Sequence, residues 1–263
     1  MSSIDVACIQ MDITDCNKQK NILKAIDMAR EAVKTGVEII VFPEVFSTGF
    51  CYRDMEGSSE YDDGETVKQM CAFSKEHECV LIFSIIEKER SENGVEYFNL
   101  GVCIEDGEVV GTYRKTHPFK REQQYFTPGN GIHPIRLKKR DLTIGLQICY
   151  EIRFPEVARK LVLEGSDILV TIAEFPSPRG NIWRSLAVAR AIENQTPHVA
   201  CNRVGEGPDS SFFGGSLVVD ALGEIKAEAS DEETVVSGRI CLEDTRKVRG
   251  AIPVLDDRRP DLY

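Results

Sequence analysis

Two apolar runs constrain this chain more than any other feature. Val37 to Phe42 (VEIIVF) and Asp167 to Ile172 (DILVTI) are hydrophobic at almost every position, and each follows a helix-like stretch. A strand buried on both faces needs cover on both faces, which parallel neighbours joined by crossover helices provide. The rest of the chain keeps this alternation. Ile4 to Gln10 reads as a strand. Asn17 to Thr35 reads as a helix, with Ile22, Ile26, Ala29 and Val33 on one face and Gly36 as its stop. A helix over 65–78 precedes a strand over 80–86, and strands over 97–104 and 108–113 flank the hairpin signal Asp106-Gly107. Then come a strand over 142–148, a helix from Phe154 to Leu163 with Pro155 in its first turn, a strand over 168–172, a helix over 183–193 and a strand over 198–202. The last third is β-rich, over 215–220 and 235–240, and the tail after Arg246 shows no element. The pattern predicts an α/β protein. Because hairpins argue against an all-parallel sheet, mixed sheets in layers are expected.

A length of 263 residues suits one large domain or two small ones. With 32 basic and 43 acidic residues the net charge is −11, which repels nucleic acid on average. The one basic run, Arg136 to Arg140 (RLKKR), reads as a solvated strand end. No apolar run reaches the roughly 18 residues of a membrane span, and Met1 to Asp5 does not look like a secretory signal. The nine cysteines, at 8, 16, 51, 71, 79, 103, 149, 201 and 241, show no CxxC pair or metal-like spacing. A cytoplasmic location without disulfides is therefore expected. The four histidines form no ligand pair, so no metal is expected.

Cys149 separates from the other cysteines. It follows the strand LTIGLQI and precedes a helix start, so helix N–H donors are expected to lower its pKa and to stabilise an oxyanion. The plainer reading is a buried strand-end cysteine. Glu44 follows VEIIVF and Pro43, where burial would tune a carboxylate toward a general base, although a solvated loop glutamate is equally ordinary. Lys115, just after a strand, is placed to hold an oxyanion or to be a surface cation. Glu122 in the following loop says little by itself. A second chemistry pairs Cys149 with His117 as a dyad, making a thiol esterase or peptidase. A third reading is a binding protein without catalysis.

Taken together, these residues resemble the nitrilase superfamily of carbon–nitrogen hydrolases. The resemblance rests on a first strand ending in Gln10, then VFPE at 41–44, YRKTHPF at 113–119, EQQYFTPG at 122–129, GLQICYEIRFPE at 145–156, WRSLAVARAIENQ at 183–195 and VACNRVG at 199–205, in the family's order. It implies a single domain over 1–263 with a four-layer αββα sandwich of two mixed β-sheets. It also implies a Glu-Lys-Cys triad of Glu44, Lys115 and Cys149, with Glu122 as an additional glutamate and no cofactor. Cys149 would form a thioester, with Lys115 and the Tyr150 backbone N–H holding the oxyanion. Within the superfamily the motifs look most like the omega-amidase branch.

Arg153 is placed to bind a substrate carboxylate, unless it serves a helix-start salt bridge. Phe46, Phe175 and Trp183 are candidate pocket walls or core residues. Glu174, in Ala173-Glu174-Phe175, would disfavour an anionic substrate and favour one with an amino group, as in hydrolysis of an N-carbamoyl amine. The resemblance further implies a homodimer or larger assembly, with the tail at about 246–263 crossing to the partner.

Overall fold

The computed structural model describes residues 3–92 and 94–262. Met1, Ser2 and Tyr263, on which parts of the terminal readings rest, lie outside the described residues. The first half supplies β1 (Ser3–Gln10), α1 (Lys18–Val33), β2 (Ile39–Val41), α2 (Met55–Ser58), α3 (Glu65–His77), β3 (Val80–Ser91), β4 (Gly94–Glu105) and β5 (Glu108–Arg114). The second supplies β6 (Ile135–Leu137), β7 (Leu142–Ile148), α4 (Pro155–Leu163), β8 (Ile168–Ala173), α5 (Gly180–Asn194), β9 (His198–Asn202), β10 (Val204–Glu206), β11 (Ser211–Phe213), β12 (Leu217–Val219), β13 (Ile225–Glu228), β14 (Thr234–Cys241) and α6 (Leu242–Ala251).

Two six-stranded mixed sheets form, in the orders β14-β1-β2-β3-β4-β5 and β13-β12-β9-β8-β7-β6, beside a small β10-β11 ribbon. The central pairs β1-β2-β3 and β7-β8-β9 are parallel, and the flanking pairs are antiparallel. Period-two alternation explains the layering. On β2, Ile39 and Val41 face the core shared by both sheets, while Ile40 faces α1 and α3. On β8, Ile168, Val170 and Ile172 enter the same shared core, while Leu169 packs against α4. Helices therefore cover both outer faces, giving the αββα sandwich. The β4-β5 hairpin turns at Asp106 and Gly107, both at positive φ, as the Asp-Gly signal requires.

The structure corrects two expectations. The tail is not featureless: Leu242–Ala251 is helical, with Glu243 and Asp244 in the first turn and Arg249 in the last, matching the helix dipole. It packs on its own chain, where Arg249 donates to Thr196 Oγ1 at 2.6 Å, Gln195 donates to the Ile252 carbonyl at 2.8 Å and Leu255 joins the apolar cluster under α4. Cys16 and Cys51 form a disulfide, against the expectation of none; they lie 35 residues apart, so spacing did not reveal the pair. Among the described residues, no helix is long and apolar enough to cross a membrane.

Candidate active site

Three strand ends converge at one edge of the sandwich. Glu44 follows β2, Lys115 follows β5 and Cys149 follows β7, so the site draws on both sheets. Each arrival has a local cause. After Pro43 the chain turns sharply at Val45 (φ 41°), whose N–H donates to Ser84 Oγ at 2.8 Å. Lys115 stays in register with β4, its N–H donating to the Asn99 carbonyl at 3.0 Å, and Gly129 closes on it from outside. A Cβ at Gly129 would collide with the Arg114 carbonyl, so only glycine fits. Cys149 opens a 3₁₀ turn over Cys149–Arg153 with φ of 49°, a left-handed conformation uncommon outside glycine.

Lys115 Nζ donates to Glu44 Oε1 and Glu122 Oε2, each at 2.7 Å. Asn99 Nδ2 also donates to Glu44 Oε1, at 2.8 Å, and the Glu174 backbone N–H donates to Glu44 Oε2 at 2.9 Å. The Cys149 thiol hydrogen-bonds Glu44. Glu44, Lys115, Glu122 and Cys149 are all buried. Burial opposes charge on Lys115, but Glu122 and Glu44 outweigh it and hold the ammonium well above its usual range. Burial, opposed by Lys115 and reinforced by Glu44, lifts Glu122 to about 7.

Burial and the neighbouring Glu44 push the Cys149 thiol well above its ordinary range, with Lys115 offsetting only part. This reverses the expectation of a lowered thiol pKa: the turn's N–H donors do not outweigh desolvation and two nearby carboxylates. A thiol of this kind needs a base at the moment it reacts, and Glu44 is in contact with it.

Glu151, in the same 3₁₀ turn, is the supporting residue that motif reading missed. Its carboxylate accepts from Tyr113 Oη (2.6 Å), Thr116 N (2.8 Å), Thr116 Oγ1 (2.7 Å) and Ile148 N (2.7 Å). It thereby ties the Lys115 strand end to the Cys149 turn. Burial works against its charge, but His117 and these donors outweigh that and hold its pKa below the usual range.

Cys149 opens onto a cavity of about 780 Å³, within the range of small-molecule sites. Its wall carries Arg53, Lys120, Arg121, Arg153, Arg179 and Arg203 against Asp15, Glu122, Glu174 and Asp209. Arg53 pairs with Asp15 (2.9 Å), Arg121 with Asp209 (2.9 Å) and Arg203 with Glu174 (3.3 Å). Among the described residues, Arg153 and Arg179 have no acidic partner.

Comparison with known proteins agrees with this geometry. The family model for carbon-nitrogen hydrolases matches residues 5–250. The chain belongs to the carbon-nitrogen hydrolase family. It is 32% identical to a 2-oxoglutaramate amidase of Bacillus subtilis over 258 residues, covering 98% of each chain. It is 32% identical to an N-carbamoylputrescine amidase of Arabidopsis thaliana, covering 100% of this chain and 93% of that one. The solved carbon-nitrogen hydrolase of Helicobacter pylori G27 superposes with a TM-score of 0.91 at 31% identity, covering 100% of this chain and 97% of that one.

The other residues singled out in this hydrolase divide clearly. Tyr150, Arg153, Glu174 and Phe175 line the cavity with Cys149. Phe46 does not: it is core, 5.3 Å from the Phe42 ring and 5.4 Å from Phe83, because the turn at Val45 sends it under the sheet. Trp183 stands behind the wall, its ring 5.2 Å from Phe175 and its Nε1 donating to the Gly215 carbonyl at 2.8 Å. His117 stacks on Phe154 at 4.2 Å, bonds Thr116 Oγ1 at 2.8 Å and stands 3.6 Å from Glu151. No histidine is among the described residues that line the cavity, which leaves the dyad without a partner for Cys149. Glu174 is neutralised by Arg203, so it does not repel anions as a free carboxylate would. Asn99, Glu151, Arg179 and Arg203 were not singled out beforehand.

Proposed function

We propose that this hydrolase cleaves small ω-amides that carry a carboxylate at the far end, releasing ammonia through a Cys149 thioester. The observation that carries the reading is the arrangement at the cavity: a buried Glu44–Lys115–Glu122 cluster at the cysteine, and two arginines without acidic partners on the same wall. In the first half, Glu44 takes the thiol proton as sulfur attacks the amide carbon. Lys115 and the Tyr150 backbone N–H hold the oxyanion. The C–N bond breaks, the proton goes from Glu44 to the departing nitrogen, and the thioester remains. In the second half, Glu44 takes a proton from water, hydroxide attacks the thioester and the acid leaves with the thiol restored. Glu122 holds Lys115 in place, and Arg153 takes the substrate carboxylate, with Phe175 beneath its guanidinium at 5.4 Å.

A second reading, an N-carbamoyl amine hydrolase, is favoured by the identity to the Arabidopsis thaliana relative. Its electrostatic support is weaker because Arg203 neutralises Glu174. An ammonia-release screen of ω-amides, N-carbamoyl amines and nitriles separates them, with Cys149→Ala as control. The expected result is turnover of carboxylate-bearing ω-amides that disappears in the variant while folding is kept. Turnover confined to carbamoyl amines, or surviving in Cys149→Ala, overturns the first reading.

Homodimerisation belongs to the same proposal. Leu163 on α4, Ile182 and Ile192 on α5, and Ile252 after α6 are large apolar side chains left exposed on neighbouring elements. Analytical ultracentrifugation should give twice the monomer mass, and a monomer at micromolar concentration would refute it. A cytoplasmic setting fits seven free cysteines, with the Cys16–Cys51 bond as the exception.

A further inference from the structure

One cavity side chain is not used by the chemistry above. The Glu174 side chain is 4% exposed, and its Oε2 pairs with Arg203 Nη1 at 3.3 Å. Oε1 is buried and has no hydrogen-bond partner in the protein. The surroundings are built around this carboxyl. Arg203 is fixed by Nη2 bonds to the carbonyls of Ile13 (2.8 Å) and Glu206 (3.1 Å), and its guanidinium lies 4.2 Å over the Phe212 ring. A Cβ at Gly49 would stand 3.5 Å from Glu174 Oε1, and Gly49 itself has φ of +63°, so the chain turns away here at a residue without a side chain.

Buried polar atoms are normally paired, and an unpaired one opening on a cavity calls for a ligand group. Its place along the wall says which group. Glu174 is tied through its backbone N–H to Glu44, at the reacting end. The five residues that follow run on to Arg179, at the cationic end, through Phe175, over which Arg153 lies. The Glu174 carboxyl thus stands between the amide end and the carboxylate end of an ω-amide.

We infer that Glu174, held by Arg203, is a specificity-determining residue that hydrogen-bonds a polar substituent on the substrate's carbon chain. The preferred ω-amides then bear an oxo or amino group beside the carboxylate, not a plain methylene. This deepens the proposed amidase function and rests on it. With its proton, Glu174 donates to an oxo oxygen; without it, the carboxylate accepts from an ammonium. Burial, opposed by Arg203 and reinforced by Glu44, lifts Glu174 to about 7, so both forms are present near neutrality.

The test compares three five-carbon ω-amides that differ only at C2: oxo, amino, or two hydrogens. The readout is the ratio of kcat/KM between substituted and plain amides, which cancels differences in the fraction of active enzyme. Wild type should favour a substituted amide by at least about tenfold, the scale of one hydrogen bond made to a buried group. Glu174→Leu should bring that ratio toward one. Glu174→Gln, close in shape, should lower the amino-to-oxo ratio, because an amide cannot balance an ammonium charge. The Gln ratio decides the matter alone if the Leu variant does not fold. A wild type indifferent to C2, or ratios kept in both variants, overturns the inference while leaving the amidase reading standing. Failure of wild type on all three, with turnover of carbamoyl amines or nitriles, overturns both.

Discussion

Lys115 Nζ lies 2.7 Å from Glu44 Oε1, and both side chains are buried. The same nitrogen serves Glu122, so one cation holds two carboxylates. Lys115→Met should leave the two acids facing each other without it. A drop in kcat of about 10²- to 10³-fold is expected from the lost oxyanion donor. Stability should fall by about 3–5 kcal/mol from a broken buried pair, read from urea unfolding. Turnover within tenfold of wild type would refute the role.

Glu151 is a positioning residue with four donors aimed at it from both halves of the site. Glu151→Gln replaces one acceptor oxygen by a donor, so at least one of these bonds is lost. We expect a loss of about 2–3 kcal/mol in stability, with kcat reduced more than KM is raised. Steady-state kinetics beside chemical denaturation measure both. A change in KM alone would mean that Glu151 does not align Lys115 with Cys149.

The Glu174 carboxyl, lifted by burial from 4.5 to about 7, binds its proton more tightly in the folded chain than in the unfolded one. Its contribution to stability is full below about pH 4.5 and is lost as pH rises through 7. Glu174→Gln cannot titrate. The stability of the Gln variant relative to wild type should therefore rise between pH 5 and pH 8, by up to about 3 kcal/mol at about 1.4 kcal/mol per pH unit. Urea titrations at pH 5, 6.5 and 8 give the trend. A constant difference would mean that Glu174 is ionised throughout.

The Cys16–Cys51 bond joins two segments that both reach the cavity, through Asp15 and Tyr52. Alkylation in denaturant without reductant should add seven labels, one for each free cysteine, and nine after reduction. Closing a 35-residue span is worth about 4 kcal/mol on the loop-entropy model, so Cys16→Ser with Cys51→Ser should lower the Tm clearly. Nine labels without reductant would remove the bond.

The legible parts were those with a local signature. The both-face-buried runs marked inner strands, and β7 and β9 fell where their patterns placed them, at Leu142–Ile148 and His198–Asn202. Glu44, Lys115, Glu122 and Cys149 were legible because motif order pointed to them. Glu151 stood inside the same motif, yet its partners lie up to 38 residues away, and no spacing rule connects them. Phe46 looked like a pocket wall through its nearness to Glu44, but the positive φ at Val45 redirects it. The raised Cys149 pKa depends on two carboxylates brought in from other strands, which a strand-end context cannot show.

Base and nucleophile reach the site from opposite sheets, so the shared hydrophobic interior acts as a spacer. Its thickness sets how far the Glu44 oxygens stand from the Cys149 sulfur. Gly101 on β4 lies in that spacer: a Cβ there would come 3.4 Å from Ile148 Cδ1 and press on Leu146, the strand that ends at Cys149. One methyl group in the interior, touching neither catalytic side chain, would therefore tune reaction geometry. In this architecture the volume of the core is itself a catalytic parameter.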